Sequence, residues 1–171
     1  NPRVVPYLGL YPLPNSRSIG GGIGENVAPQ FQPSDENFFT IRLDHKITVR
    51  DSIFGRYTFD DASSVSGENS ANYQWRQRAE TRQQYLTLVG SHIFSTRLLA
   101  SYRFGYTRPA AFSNTLVTDI PKLLYFVPTA VVFGQINIPS LTALGPAPNV
   151  PDSKIMNTFQ FSGDVLAQKG V

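Results

Sequence analysis

Residues 38–61, FFTIRLDHKITVRDSIFGRYTFDD, sort by parity. Phe39, Ile41, Leu43, His45, Ile47 and Val49 share one parity, and Thr40, Arg42, Asp44, Lys46, Thr48 and Arg50 share the other. A period of two is that of a strand with one apolar and one polar face, and no helix separates residues this way. After a short polar break around Arg50, Asp51 and Ser52 the alternation resumes, with Ile53, Tyr57 and Phe59 against Arg56, Thr58 and Asp60. Two alternating runs joined by a tight break predict an antiparallel β-hairpin, 38–48 against 52–61.

A second hairpin follows. Residues 81–93 alternate less cleanly, with Leu86 and Leu88 on one parity and Tyr85, Val89 and Ile93 on the other. Beyond the break at Phe94, Ser95 and Thr96, Leu98, Ala100, Tyr102, Phe104 and Tyr106 alternate with Arg97, Ser101, Arg103 and Thr107. Hence 84–93 is expected to pair with 97–107, and 158–169 reads as a fifth strand.

The connections are uneven. Residues 1–36 carry six prolines and the cluster Gly20, Gly21, Gly22 and Gly24; 62–80 is polar and aperiodic; 108–157 holds seven prolines. All three read as loops, breaking both helix and strand patterns. Segments 16–26 and 63–72 are the most mobile in expectation, having little apolar surface to offset their ordering entropy. The organisation is therefore a single β-barrel segment over 1–171: loop 1–36, hairpin 38–61, loop 62–80, hairpin 81–107, long loop 108–157, strand 158–169. Tight turns at one end and long loops at the other are the layout of an outer-membrane barrel, and so the fold class is all-β, antiparallel up-and-down hairpins forming part of such a barrel. The polar face would then look into a wet lumen and the apolar face toward lipid. The alternative is a soluble all-β module, binding a glycan or hydrolysing an ester, with its charged face in bulk water.

Composition sharpens this picture. Charged residues make up 16% of the chain, below the quarter or so usual in soluble domains, while aromatics reach 12%, led by 12 Phe and 8 Tyr. The net charge of +3 is spread along the chain without a basic stripe, which argues against a nucleic-acid partner. Cysteine is absent, excluding disulfides and thiolate metal sites. The longest apolar stretch, LLYFVPTAVVFG at 123–134, is too short for a membrane helix and is broken by Pro128.

No catalytic, cofactor or metal site emerges. His45 and Asp44 are neighbours on a strand and point to opposite faces, no Gly-x-Ser-x-Gly elbow exists, and Asp60, Asp61 and Glu68 miss the register of a calcium loop. SIGGGIG at 18–24 lacks the strand, helix and Gly-Lys-Ser/Thr of a phosphate loop. The candidate lumen-facing residues are Arg42, Asp44, Lys46, Arg56 and Arg103; the four of the first hairpin, Arg42, Asp44, Lys46 and Arg56, are read as pairing in a cross-strand ladder in preference to lining a substrate path. Tyr73 and Trp75 are candidate ligand-contacting aromatics of the second loop, with anchoring of the returning strand as the competing and favoured role.

The segments VPYLGLYPLPN (5–15), FTIRLDHKITVRDSIFGRYTFDD (39–61), QYLTLVGSHIFSTRLLASYRFGYTR (84–108) and NTFQFSGDV (157–165) together resemble the early barrel region of TonB-dependent outer-membrane receptors, most of all the Oar-like group with a carboxypeptidase-regulatory-like domain. The resemblance implies a plugged barrel of about 22 strands that takes up a scarce nutrient such as an iron chelate, a glycan or a peptide. It further implies a non-enzymatic outer-membrane protein in contact with outer-membrane lipid, without cofactor, driven by a TonB-type energy-coupling protein through a region outside this chain. Five strands are too few for closure, and neither a plug nor a coupling segment is found, so the chain is expected to be a fragment of such a receptor.

Overall fold

The computed structural model describes residues 1–29, 31–67, 75–117 and 120–169. In chain order its elements are a one-turn helix α1 (Val5–Leu8), β1 (Ser18–Gly20), β2 (Ile23–Gly24), β3 (Ser34–Lys46), β4 (Asp51–Gly67), β5 (Trp75–Ser95), β6 (Leu98–Val117), a 3-10 turn (Lys122–Leu124), β7 (Asp152–Ile155) and β8 (Thr158–Ala167). Among the described residues no helix is long and apolar enough to cross a membrane, which says nothing about crossing by strands.

The main sheet runs in the order β3-β4-β5-β6, with both β7 and β8 pairing the far side of β6. Both predicted hairpins are present as neighbouring antiparallel strands. Between β3 and β4 the Ile47 N–H donates to the Asp51 carbonyl at 2.9 Å, and the Thr40 and Thr58 hydroxyls meet at 3.1 Å. Position numbers thus fall on one strand as they rise on the other, in one continuous register. Thr48 tightens the turn, its Oγ1 accepting the Arg50 and Asp51 N–H groups, each at 3.0 Å. The β4–β5 pair keeps one register from Ser52 with Ser91 (2.7 Å) to Asp61 with Arg82 (2.7 Å). Strand β8 lies antiparallel to β6 from Leu98↔Ala167 to Thr107↔Thr158 without a bulge.

Two regions read as loop continue instead as strand. β4 extends to Gly67 and β5 begins at Trp75, so much of 62–80 is extended; β6 runs on to Val117, taking the first residues of 108–157. The polar sequence there has no apolar period to mark a strand, and ladder hydrogen bonds to strands already paired carry it forward. Pro109 is tolerated inside β6 by interrupting its neighbour. Its carbonyl accepts the Met156 N–H at 3.1 Å, but its nitrogen cannot return a bond to Met156, and the outer strand is split there into β7 and β8.

The chain divides into two compact units. One comprises Glu36–Ala62, Glu80–Ala111 and Ser153–Val171 and holds the amphipathic strands. β3 is exposed along its whole length, β8 along all but its first residue, and the sheet does not close among the described residues. The other unit comprises Asn1–Asp35, Ser63–Ala79 and Phe112–Asp152. Its core is built from Trp75, Ile120, Tyr125, Phe133 and Leu144, with Tyr7, Leu10 and Tyr11 packed on it. Of the two segments expected to be most mobile, 63–72 lies outside the described residues beyond residue 67, and 16–26 is held here by pairing and hydrogen bonds. β1 and β2 pair across Gly21 and Gly22, whose φ of +63° and +81° suit glycine alone, and Asn15 and Ser16 N–H groups both reach the Glu25 carbonyl at 3.1 Å.

Candidate functional site

The amphipathic strands offer two faces. On the polar one, Arg42 grips Asp44 with a two-pronged contact, Nε to Oδ2 at 2.7 Å and Nη2 to Oδ1 at 2.6 Å. Its guanidinium also lies 4.2 Å from the Phe54 ring centroid. The β3–β4 register sets Arg56 opposite Arg42, and Asp44 offsets that like-charge pair. The ladder therefore forms at Arg42 and Asp44, along β3 itself instead of across strands. Lys46 ends β3, and Arg103 sits on β6 opposite Ser162, two strand spacings (about 10 Å) from the strand of Arg56. Arg42, Asp44 and Arg56 are thus brought together and Arg103 is not. Ser52 with Ser91, and Ser101 donating to Asp164 at 3.5 Å, continue the polar face.

The opposite face holds aromatic ladders. Phe39 stacks on Phe59 at 5.3 Å, Tyr106 packs on Phe159 at 5.0 Å, and Phe104 on Phe161 at 5.1 Å. Two acid–base contacts on this same face escaped the sequence reading. Asp61 holds Arg82, whose guanidinium lies 5.6 Å from the Phe59 ring centroid. Asp51 meets His92 Nδ1 at 2.5 Å, with Thr48 Oγ1 donating to the other carboxylate oxygen at 2.5 Å. Asp51 and Asp61 stand ten residues apart on β4, with only Ile53, Gly55, Tyr57 and Phe59 between them on that parity. The matching residues of β5 are Gln84, Leu86, Leu88 and Gly90, and Gln84 accepts the Tyr57 hydroxyl at 2.9 Å. Ten residues span about 33 Å along a strand, and a strand tilt near 40° projects that to about 25 Å, the height of the apolar band of an outer-membrane barrel. The signal was latent in the sequence: each acid shares parity with an apolar row, and one register lines both up with a basic partner.

Of the two aromatic candidates, Tyr73 lies outside the described residues. Trp75 is fully buried, 5.0 Å from the Phe133 ring, so its indole packs inside the loop-built core. Among the described residues no group of three or more His, Asp or Glu side chains converges as a metal site. Tyr11, beside that core, donates its hydroxyl to the Thr142 carbonyl at 2.8 Å, and partial burial raises its phenol pKa above the ordinary value.

A family model described as outer membrane beta barrel domain matches residues 1–171. No match is found among curated proteins or among solved structures.

Proposed function

Because the chain belongs to the outer membrane beta barrel domain family and is an outer-membrane protein, we propose that it forms part of the wall of a TonB-dependent receptor that takes up a scarce nutrient: an iron chelate, a glycan or a peptide. The wall is non-catalytic in this reading. Aromatic ladders meet outer-membrane lipid, Arg42, Asp44, Lys46, Arg56 and Arg103 look into the lumen, and a TonB-type protein supplies energy through a region outside this chain. The observation that carries the reading is the apolar band bounded by Asp61 with Arg82 and Asp51 with His92. A soluble sheet has no need of a hydrocarbon-sized interval between its charges, whereas a Lys or Arg near the bilayer midplane costs about 2–4 kcal/mol.

Cysteine is absent from the chain, and single-cysteine spin labels therefore report cleanly. In vesicles, labels at Leu43, Tyr57 and Phe104 are expected to be relaxed by a lipid-soluble quencher, and labels at Arg42, Arg56 and Arg103 by an aqueous one. If the first three are reached by neither, the soluble β-module replaces the transporter. Energy coupling is tested on whole cells carrying the parent receptor: uptake should stop when a protonophore collapses the inner-membrane gradient, and uptake indifferent to it rules out TonB.

A further inference from the structure

The loop-built unit contains a cavity of about 360 Å3 between the β1–β2 hairpin and the segment 140–144. That lies within the range of about 300–1,000 Å3 common for small-molecule sites. We propose that it binds a neutral saccharide, a reading that rests on the nutrient-uptake function above and selects the glycan among its three ligand classes.

The lining chemistry makes the selection. Tyr11 forms one wall, and because its hydroxyl is engaged by the Thr142 carbonyl its ring is held as a flat apolar surface. Ile19 and Ile23 extend that surface. An aromatic plate with aliphatic flanks suits the C–H face of a pyranose ring. Polar groups are few. Glu25 contributes a carboxylate whose contacts to Ser16 Oγ (3.2 Å) and Arg17 Nε (3.4 Å) both fall on Oε2. A carboxylate carries about four acceptor sites, and so this one retains capacity for ligand hydroxyls. Asn26 donates Nδ2 to the Leu13 carbonyl at 2.7 Å, a bond that does not use its Oδ1 acceptor. The site thus offers acceptors to a ligand rich in hydroxyl donors.

The other classes fit less well. Glu25 is the one charged residue among those lining the cavity, which disfavours an iron chelate built from carboxylates. An extended peptide is matched by a free strand edge, whereas here β1 and β2 are three and two residues long and paired to each other.

The test uses the full chain in detergent micelles and saturation-transfer NMR with glucose, galactose and maltose, against ferric citrate and triglycine at equal concentration. The expected result is transfer to the ring protons of at least one saccharide and none to citrate or the peptide. Ile19→Arg is placed at an exposed position and Glu25→Gln at a half-buried one, and each should weaken saccharide binding at least ten-fold on protein whose Trp75 emission is unchanged. Absence of saccharide transfer, binding that survives both substitutions, or preference for citrate or triglycine overturns the proposal. Protonophore-sensitive uptake without saccharide binding removes the pocket and leaves the transporter. Saccharide binding without such uptake does the reverse.

Discussion

Phe133 is 1% exposed and touches the rings of Tyr7, Trp75, Tyr125 and Phe126, which makes it the residue on which the loop-built core turns. Truncating Phe133→Ala is expected to destabilise that unit by about 3–5 kcal/mol, the range for deleting a buried aromatic side chain. Trp75 is the single tryptophan and fully buried, so its fluorescence reads the outcome: emission should shift to the red, and an unchanged spectrum would mean the core is not packed around Phe133. Gly145 tests the same unit through the backbone. Its φ is +110°, and a Cβ added there would sit 1.9 Å from the Gly134 carbonyl oxygen. Gly145→Ala should therefore destabilise the unit, read as a lower urea midpoint of the Trp75 transition, by more than the ~1–2 kcal/mol of the left-handed backbone alone, because backbone must also move.

At the scale of the element, the outer strand is broken by one residue on its neighbour. Pro109→Ala restores an N–H facing Met156, and β7 and β8 should then fuse into one continuous strand. Amide exchange checks this directly: the new amide at position 109 should be protected to the degree of its neighbours in β6, whereas fast exchange there would assign the break to Asn157 instead. The two parities of β3 can be compared in the same way. Leu43→Arg should impair refolding into vesicles by about 2–4 kcal/mol, while Thr40→Arg, on the polar face, should change it by well under 1 kcal/mol. Equal penalties would deny the strand any distinction between its faces.

For the whole molecule, the interval between Asp51 with His92 and Asp61 with Arg82 sets a preferred membrane thickness. The protease-protected fraction recovered after refolding should peak in vesicles whose hydrocarbon core is near 25 Å and fall in thicker ones. Replacing Asp61 and Arg82 together by Leu should move the peak toward thicker bilayers by lengthening the apolar interval at one end. A yield independent of acyl-chain length would sink the assignment of those pairs to the band's borders.

The five long strands, the pairing within each hairpin and the two faces of the first were legible in the sequence, because a side-chain period of two is written residue by residue and a tight turn leaves one register open, that of Thr40 against Thr58. The same holds for the outer-membrane layout of short turns and long connections. Tertiary structure alone decided the rest. Strand continuing through 63–67 and 108–117 carries no periodic signature, since neighbours already in register extend it. The loop core depends on contacts such as Tyr11 with Thr142, 131 residues apart, and Trp75 with Phe133, which no local pattern encodes. Nor could parity reveal that Asp51 and Asp61 each find a basic partner on the apolar face, because that requires the register between β4 and β5, set by pairing across a connection too polar to announce it.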